Sequence, residues 1–259
     1  MSDRQPLPGK FVWFELVTRE PQKAQAFYDE VLGWTTKGFP MGQDMYDMIL
    51  TGESLDTMIG GYNVHAATAK SSYWISYVSV EDVDATAKAT TENGGKVVTP
   101  PFDIPAVGRT ARIADPLGAE LCIIKNENGD PADVENVPTG GWVWNELHTH
   151  EPIKALTFSE RVLGFSHRAQ DMGPGGTYHL ISRGGVDRGG VTAHLPAGAS
   201  PHWLPYVNVD DVDATVVRAK RLGANVVMHE DIPGVGRIAG WLDPLGAGFA
   251  IIKPQPRQK

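Results

Sequence analysis

Alternating apolar and polar positions mark the first element of the chain. Over residues 11–18, aromatic and branched side chains alternate with other types, a pattern that predicts a β-strand. In the next segment, residues 21–32, Ala24, Phe27 and Val31 recur at spacings of three and four, which predicts an α-helix. A glycine follows this segment and is expected to end the helix.

The rest of the first half continues with short strands and one more helix. Asp82 is placed to cap a helix that ends at the Asn-Gly-Gly turn of residues 93–95. Strands are predicted near residues 46–50, 57–63, 74–80, 97, 109–114 and 119–124. The order of strand, helix and three strands therefore occurs twice in this half.

The second half of the chain repeats the first. The segment WFELVTREPQKAQAFYDEVLGW beginning at Trp13 matches WNELHTHEPIKALTFSERVLGF beginning at Trp144, an offset of 131 positions. Two later matches keep the same order: YVSVEDVDAT with YVNVDDVDAT at an offset of 129, and DIPAVGR with DIPGVGR at 128. A polar segment with Pro and Gly separates the copies. We therefore predict domains at residues 9–125 and 141–254, joined by a linker at 126–140.

Composition narrows the classes of function. With 41% hydrophobic and 21% charged residues the chain is globular, and no apolar run approaches the roughly 20 residues of a membrane-spanning helix. A net charge of -8 argues against a nucleic-acid partner, because phosphate binding needs clustered Lys and Arg. A single cysteine excludes an internal disulfide, and no secretory signal is visible. We expect a cytoplasmic protein without membrane contact.

Three motifs resemble those of a known superfamily. They are AFYDEVLGW at the end of the first helix, DVDA at the start of the second, and DPLG before the last strand. Together they resemble the vicinal oxygen chelate superfamily of glyoxalases, bleomycin-resistance proteins and extradiol dioxygenases, and in particular its two-domain glyoxalase-like members. The resemblance covers nearly the whole chain. It implies an α+β fold of four βαβββ modules forming two open half-barrel domains, each around a cavity that usually holds a divalent metal ion.

The residues at the implied metal positions do not suit a metal ion. On the family pattern these positions fall on Trp13 and Trp144, Ile75 and Leu204, and Cys122 and Ala250. An indole offers only an N–H donor, and one thiol without other donors does not hold a metal ion. His202 stands two residues before Leu204, and we expect strand parity to direct it away from the cavity. We therefore predict that the chain binds no metal and no other cofactor.

Strand alternation assigns other side chains to the cavities. Trp13 and Glu15 in the first half, and Trp144, Glu146 and His148 in the second, are expected to face inward. Glu146 and His148 are the catalytic candidates, because residues two apart on a strand share a face about 6 to 7 Å apart. The alternatives are a structural carboxylate and a histidine at the cavity mouth.

Later segments supply further candidate ligand-binding residues. Arg109 and Arg237 end the DIPxVGR repeats, where each can bind a substrate carboxylate or pair with Asp103 or Asp231 of the same turn. Alternation along other strands adds aromatic and polar side chains, namely Tyr77, His179, Tyr206 and Asn208.

Three functions remain open from the sequence. The first is a metal-independent isomerase, lyase or hydrolytic enzyme acting on a small carbonyl or aromatic compound, with Glu146 and His148 as acid and base. The second is a non-catalytic protein that sequesters a small molecule, as bleomycin-resistance relatives do. The third is a metal-dependent glyoxalase or dioxygenase with unusual ligands such as Glu146, His148 and His179. Four modules in one chain predict a monomer, with a homodimer as the alternative.

Overall fold

Four α-helices and sixteen strands make up the part of the chain that the computed structural model describes, residues 4–41, 44–64, 71–196 and 198–255. The order of strand, helix and three strands occurs four times. The helices are α1 (Pro21–Leu32), α2 (Val83–Glu92), α3 (Pro152–Leu163) and α4 (Val212–Arg221). The predicted α+β class with four βαβββ modules is confirmed. None of these four helices has the length and apolar composition of a membrane span.

Helix ends follow the local sequence. Both α1 and α3 begin at a proline and end at a glycine in the left-handed region, with φ of 69° at Gly33 and 67° at Gly164. The carboxylates of Asp82 and Asp211 cap α2 and α4 by accepting backbone N–H groups over 2.9 Å. The predicted first helix and the predicted Asp82 cap are confirmed.

Strands of the first half form one eight-stranded sheet. They are β1 (Phe11–Val17), β2 (Thr35–Met41), β3 (Asp44–Leu50), β4 (Met58–Asn63), β5 (Tyr73–Ser79), β6 (Lys96–Ile104), β7 (Gly108–Ala114) and β8 (Glu120–Asn126). Their order across the sheet is β2-β3-β4-β1-β5-β8-β7-β6. The two modules of the first half thus contribute four neighbouring strands each, with β1 parallel to β4.

The second half repeats this arrangement. Its strands are β9 (Trp142–His148), β10 (Ser166–Asp171), β11 (Thr177–Arg183), β12 (Val186–Thr192), β13 (His202–Asn208), β14 (Asn225–Ile232), β15 (Gly236–Leu242) and β16 (Gly248–Pro254). The order is β10-β11-β12-β9-β13-β16-β15-β14. Modules therefore share a sheet within each half of the sequence.

Packing divides the chain into two compact units. The first contains Met1–Trp13, Ile75–Val134 and Trp144–Leu204, and in it α2 packs against α3. The second contains Phe14–Trp74, Glu135–Val143 and Pro205–Lys259, and in it α1 packs against α4. Strands pair within each half of the sequence. Each compact unit, in contrast, contains one helix pair made of a helix from each half. The domain boundaries at 125 and 141 stay a prediction.

Each unit has its own core. In the first unit, aliphatic side chains of the strands pack on the helices, and Leu147, Leu156, Ile123 and Ile181 are among the buried residues. The second unit has an aromatic core in which indole, phenol and phenyl rings lie 5 to 6 Å apart: Tyr28, Trp34, Trp74, Trp142 and Phe249. Such contacts between ring edges and faces fix the geometry of a core.

Candidate functional site

Glu146 lies at the centre of a group of polar side chains in the first compact unit. It stands on β9 opposite Gly190 of the parallel strand β12, and only 9% of it is exposed. Gly190 leaves room for the phenol of Tyr178, which reaches across from β11; a Cβ at Gly190 would collide with the Tyr178 hydroxyl. The glycine on the middle strand therefore lets a tyrosine two strands away reach the carboxylate.

Tyr178 links an indole to this carboxylate. Nε1–H of Trp144 donates to the Tyr178 hydroxyl over 2.8 Å, and the hydroxyl is hydrogen-bonded to Glu146. Burial raises the pKa of Tyr178 well above its usual value, and the charge of Glu146 raises it further. The phenol therefore stays protonated at physiological pH and donates to the carboxylate.

His148 stands beside Glu146 on the same strand. Its Nδ1 is 2.5 Å from the carbonyl oxygen of His194, and its Nε2 is 2.8 Å from Oε1 of Glu146. Because a carbonyl oxygen only accepts, Nδ1 carries a proton. Burial lowers the pKa of His148, but the contact with the Glu146 carboxylate, its charge and the His194 carbonyl outweigh burial, so the pKa lies above the ordinary value. The surroundings favour the imidazolium form.

The Nε2–H group of His148 is only partly satisfied by this chain. Its Nε2 atom is buried and pairs with Oε1 of Glu146 at 2.8 Å, but among the described residues no acceptor lies in line with its N–H as a regular hydrogen bond requires. Buried N–H groups without an acceptor are uncommon in folded proteins. An oxygen atom of a bound molecule can complete this hydrogen bond.

The first half has a similar arrangement around Glu15, which lies in the second compact unit. Here a side-chain amide, and not an imidazole, is the further group beside the carboxylate. Glu15 on β1 stands opposite Gly61 of β4 and accepts from the Tyr46 hydroxyl over 2.7 Å. A Cβ at Gly61 would collide with that hydroxyl. The further donor is the side-chain amide of Asn63, at 3.0 Å. An amide does not titrate, whereas the imidazole of His148 does.

His179 lies apart from this group. It follows Tyr178 directly on β11, so alternation places it on the opposite face of the strand. Its ring contacts His167 there, with ring centroids 6.3 Å apart. The structure therefore does not bring His179 to Glu146 and His148.

The two arginines of the DIPxVGR repeats bind carboxylates of this chain. Arg109 contacts Asp84 through Nε at 2.5 Å and Asp103 through Nη1 at 3.0 Å. Arg237 contacts Asp231 of its own turn at 3.2 Å. The alternative from the sequence, an ion pair with the aspartate of the same turn, is therefore formed in both repeats. Binding of a substrate carboxylate by these arginines stays a prediction, and it requires exchange of these partners.

The other predicted ligand-binding residues occupy separate places. Asn208 donates its side-chain amide to the carbonyl of Val137 over 2.8 Å. Tyr77 and Tyr206 are buried, with 8% and 5% of each exposed, and Trp13 is half-buried on β1. A role for these four residues in ligand binding stays a prediction.

His202 belongs to the site around Glu146. Its ring stacks on that of His148, with centroids 5.3 Å apart and planes inclined by 7°. The expectation that strand parity directs His202 away is wrong, because residues two apart on a strand share a face, and so His202 lies on the same side as Leu204. Its Nδ1 is 2.9 Å from the carbonyl oxygen of Ser200.

Tyr178 and its counterpart Tyr46 were not among the predicted site residues. A signal for them exists in the repeat, since each copy has a tyrosine on its third strand and a Gly-Gly pair on its fourth. Glycines have no side chain, so a Gly-Gly pair on the neighbouring strand leaves room for the tyrosine ring. The recurrence of both features in the two copies indicates that the ring extends across that strand.

The described residues at the implied metal positions are a poor match to metal donors. Among all the described residues, no group of three or more His, Cys, Asp or Glu is close enough to bind one ion. Two of the positions implied by the family pattern hold the buried apolar residues Ile75 and Ala250, with 4% and 0% exposed. The donor chemistry therefore does not fit a divalent ion.

Comparison with known proteins identifies the family. The model of the Glyoxalase/Bleomycin resistance protein/Dioxygenase superfamily matches residues 10–123. A protein of Mycobacterium tuberculosis named "Putative glyoxylase CFP32" is 36% identical over 250 residues, which cover 95% of each chain. The chain belongs to this superfamily. A further relative, the anthracycline biosynthesis protein DnrV of Streptomyces peucetius, is 30% identical over 264 residues, covering 95% of this chain and 94% of DnrV.

Solved structures of the superfamily share the fold. The Mn(II)-bound glyoxalase from Novosphingobium aromaticivorans matches with a TM-score of 0.62 at 16% identity, over 97% of this chain and 86% of that one. The 2,2',3-trihydroxybiphenyl 1,2-dioxygenase from Sphingomonas wittichii matches with a TM-score of 0.63 at 14% identity, over 95% and 91%. At these identities the similarity shows the fold alone.

Proposed function

We propose that this member of the superfamily binds a small carbonyl or aromatic compound beside Glu146 and His148 and moves a proton on it without a metal ion. The reaction class is an isomerisation or a lyase step that passes through an enolate or phenolate. Glu146 keeps the imidazole of His148 charged, and Nε2–H of His148 donates to the ligand oxygen on which negative charge develops.

The observation that carries this proposal is the buried Nε2 atom of His148, 2.8 Å from a carboxylate and without an acceptor in line among the described residues. A charged donor aimed at a developing oxyanion stabilises the transition state more than the ground state. Trp144 and Tyr178 supply aromatic surface beside it, which suits a flat ligand.

Names of relatives support a small molecule as the substrate. Two relatives, from Mycobacterium bovis and Mycobacterium tuberculosis, carry the name "Putative glyoxylase CFP32", and two, from Streptomyces, are named for anthracycline biosynthesis. Each of these names refers to small-molecule chemistry. A metal-independent route is supported by the poor fit of the ligand positions, which hold indole and apolar side chains.

Hydrogen exchange at carbon tests the proposal without knowledge of the product. The protein is incubated in D2O with a panel of aldehydes, ketones, aldehyde-thiol adducts and phenols, and loss of carbon-bound proton signals is followed by NMR. We expect exchange of one compound class, slowed by about 10²-fold or more in Glu146→Gln, because His148 loses the carboxylate that keeps it charged, and loss of one oxyanion donor costs about 10²- to 10³-fold. Glu151→Gln, the same change at an exposed carboxylate, is the control.

Two outcomes contradict the proposal. Tight binding of an aromatic compound with no exchange across the panel indicates sequestration instead of catalysis. Exchange that is lost on dialysis against a chelator, with about one transition-metal ion per chain in elemental analysis of the untreated protein, indicates a metal-dependent enzyme.

A further inference from the structure

His202 presents one ring nitrogen as an acceptor. Its Nδ1 is 2.9 Å from the carbonyl oxygen of Ser200, which only accepts, so Nδ1 carries the ring proton. In the neutral imidazole, Nε2 then holds a lone pair. No group in the part of the chain that the structure describes forms a hydrogen bond to this nitrogen. His202 is half-buried and can receive a proton from a ligand.

The two stacked imidazoles have different surroundings. Both nitrogens of His148 face oxygen atoms, one of them a carboxylate, whereas only Nδ1 of His202 does. Burial lowers the pKa of His202, the Ser200 carbonyl opposes this, and the charge of His148 lowers the pKa further. Two adjacent imidazoles do not readily carry charge together. The single positive charge therefore belongs on His148, next to Glu146.

Other titratable groups near His148 and His202 do not change this assignment of the positive charge to His148. Tyr178 on β11 stays a neutral phenol that is hydrogen-bonded to Glu146. The His194 ring, in the segment after β12, is turned to the carbonyl oxygen of Gly175 at 2.9 Å, so His194 faces His148 through its backbone. On β9 the charge next to His148 is that of Glu146, which favours the imidazolium there.

We propose that Nε2 of His202 is the proton acceptor of the reaction described under "Proposed function", on which this inference rests. A C–H bond next to a ligand carbonyl breaks, the proton goes to Nε2 of His202, and the electron pair moves into the ligand as an enolate. The enolate oxygen lies against Nε2–H of His148. Return of the proton to another carbon completes an isomerisation, with no oxidant or reductant required.

The protonation state of the free protein provides a test that needs no ligand. Two-dimensional NMR of ¹⁵N-labelled imidazoles distinguishes the tautomers, and diethyl pyrocarbonate acylates neutral imidazole nitrogens. At pH 7 we expect His202 in the neutral Nδ1–H form and open to acylation at Nε2, and His148 protonated on both nitrogens and acylated slowly. A neutral Nε2–H tautomer at His202, or a charged His202 beside a neutral His148, overturns the inference.

Carbon exchange then separates the inference from the proposed function. We expect His202→Gln to slow exchange by about 10²- to 10⁴-fold, with a smaller effect on ligand affinity. Exchange that depends on Glu146 but persists in His202→Gln overturns the inference and leaves the proposed function standing. Absence of exchange in the unaltered protein overturns the proposed function itself. Circular dichroism and urea unfolding check that the variant is folded.

Discussion

Replacing Tyr28 by Phe removes one buried hydroxyl and keeps the ring. Tyr28, on α1 in the second compact unit, is 0% exposed; its hydroxyl donates to Oδ2 of Asp243 and accepts from Nε1 of Trp74, each over 2.9 Å. Burial raises the pKa of Tyr28, as does the charge of Asp243, so the phenol is a neutral donor. In the Tyr28→Phe variant, the carboxylate of Asp243 and the indole N–H of Trp74 stay buried but lose their hydrogen bonds to the hydroxyl.

The expected loss of stability follows from these two hydrogen bonds. A hydrogen bond to a charged group contributes about 1.5–3 kcal/mol, and a buried donor left without a partner costs about 1–3 kcal/mol. One hydroxyl serves both partners, and Asp243 keeps backbone donors from Leu245 and Ala247 at 2.8 and 2.9 Å. We therefore expect the free energy of unfolding to fall by about 2–4 kcal/mol.

The other half of the chain offers a matched control. Ser159 is the aligned residue of α3, and its hydroxyl donates to the carbonyl of Leu156 over 2.9 Å. It lines the same small internal cavity as Asp115, whose Oδ2 is buried without a hydrogen-bond partner among the described residues. Ser159→Ala removes a bond within one helix, and we expect a loss below about 1 kcal/mol.

Urea unfolding followed by tryptophan fluorescence measures both variants. The midpoint should shift while the slope with denaturant stays constant, since the surface exposed on unfolding is unchanged. A loss below about 1 kcal/mol for Tyr28→Phe, or equal losses in the two variants, refutes the reasoning.

Two further predictions concern the site. Because the pKa of folded His148 is raised, its contribution to stability is complete below the unfolded value of about 6.5 and is lost as pH rises through the folded pKa. Urea unfolding between pH 5 and 9 should show this dependence weakened in Glu146→Gln; identical pH profiles would contradict it. Gly190→Ala forces the Tyr178 hydroxyl away and should cost about 1–3 kcal/mol. The added cost in a Tyr178→Phe background should be smaller, and strict additivity in this double-mutant cycle would argue against the clash.

Much of the fold follows from local sequence. The segment 21–32 forms α1 over the predicted span, and Asp82 caps α2 as predicted, because helix spacing and capping depend on neighbouring residues. Which modules share a sheet could not be predicted, since this depends on pairing between strands far apart in sequence. The repeat shows that four modules exist and leaves their pairing open.

The same distinction applies to the candidate site. A spacing of two predicts that Glu146 and His148 share a face, and the structure places their side chains 2.8 Å apart. The partners from other strands were missed. Tyr178 reaches the carboxylate because β11, β12 and β9 are neighbours and a glycine occupies the middle strand, which requires knowledge of the sheet order.

The difference between the halves argues for one reactive site per chain. Both halves keep a glutamate that accepts from a tyrosine reaching across a glycine, so this contact serves the fold of each copy. In the first half the further donor among the described residues is the amide of Asn63, which does not titrate. In the second half His148 adds an exchangeable proton, and a second imidazole stacks on it. Calorimetry with any compound that undergoes exchange should therefore give one ligand per chain, and binding should weaken in Glu146→Gln.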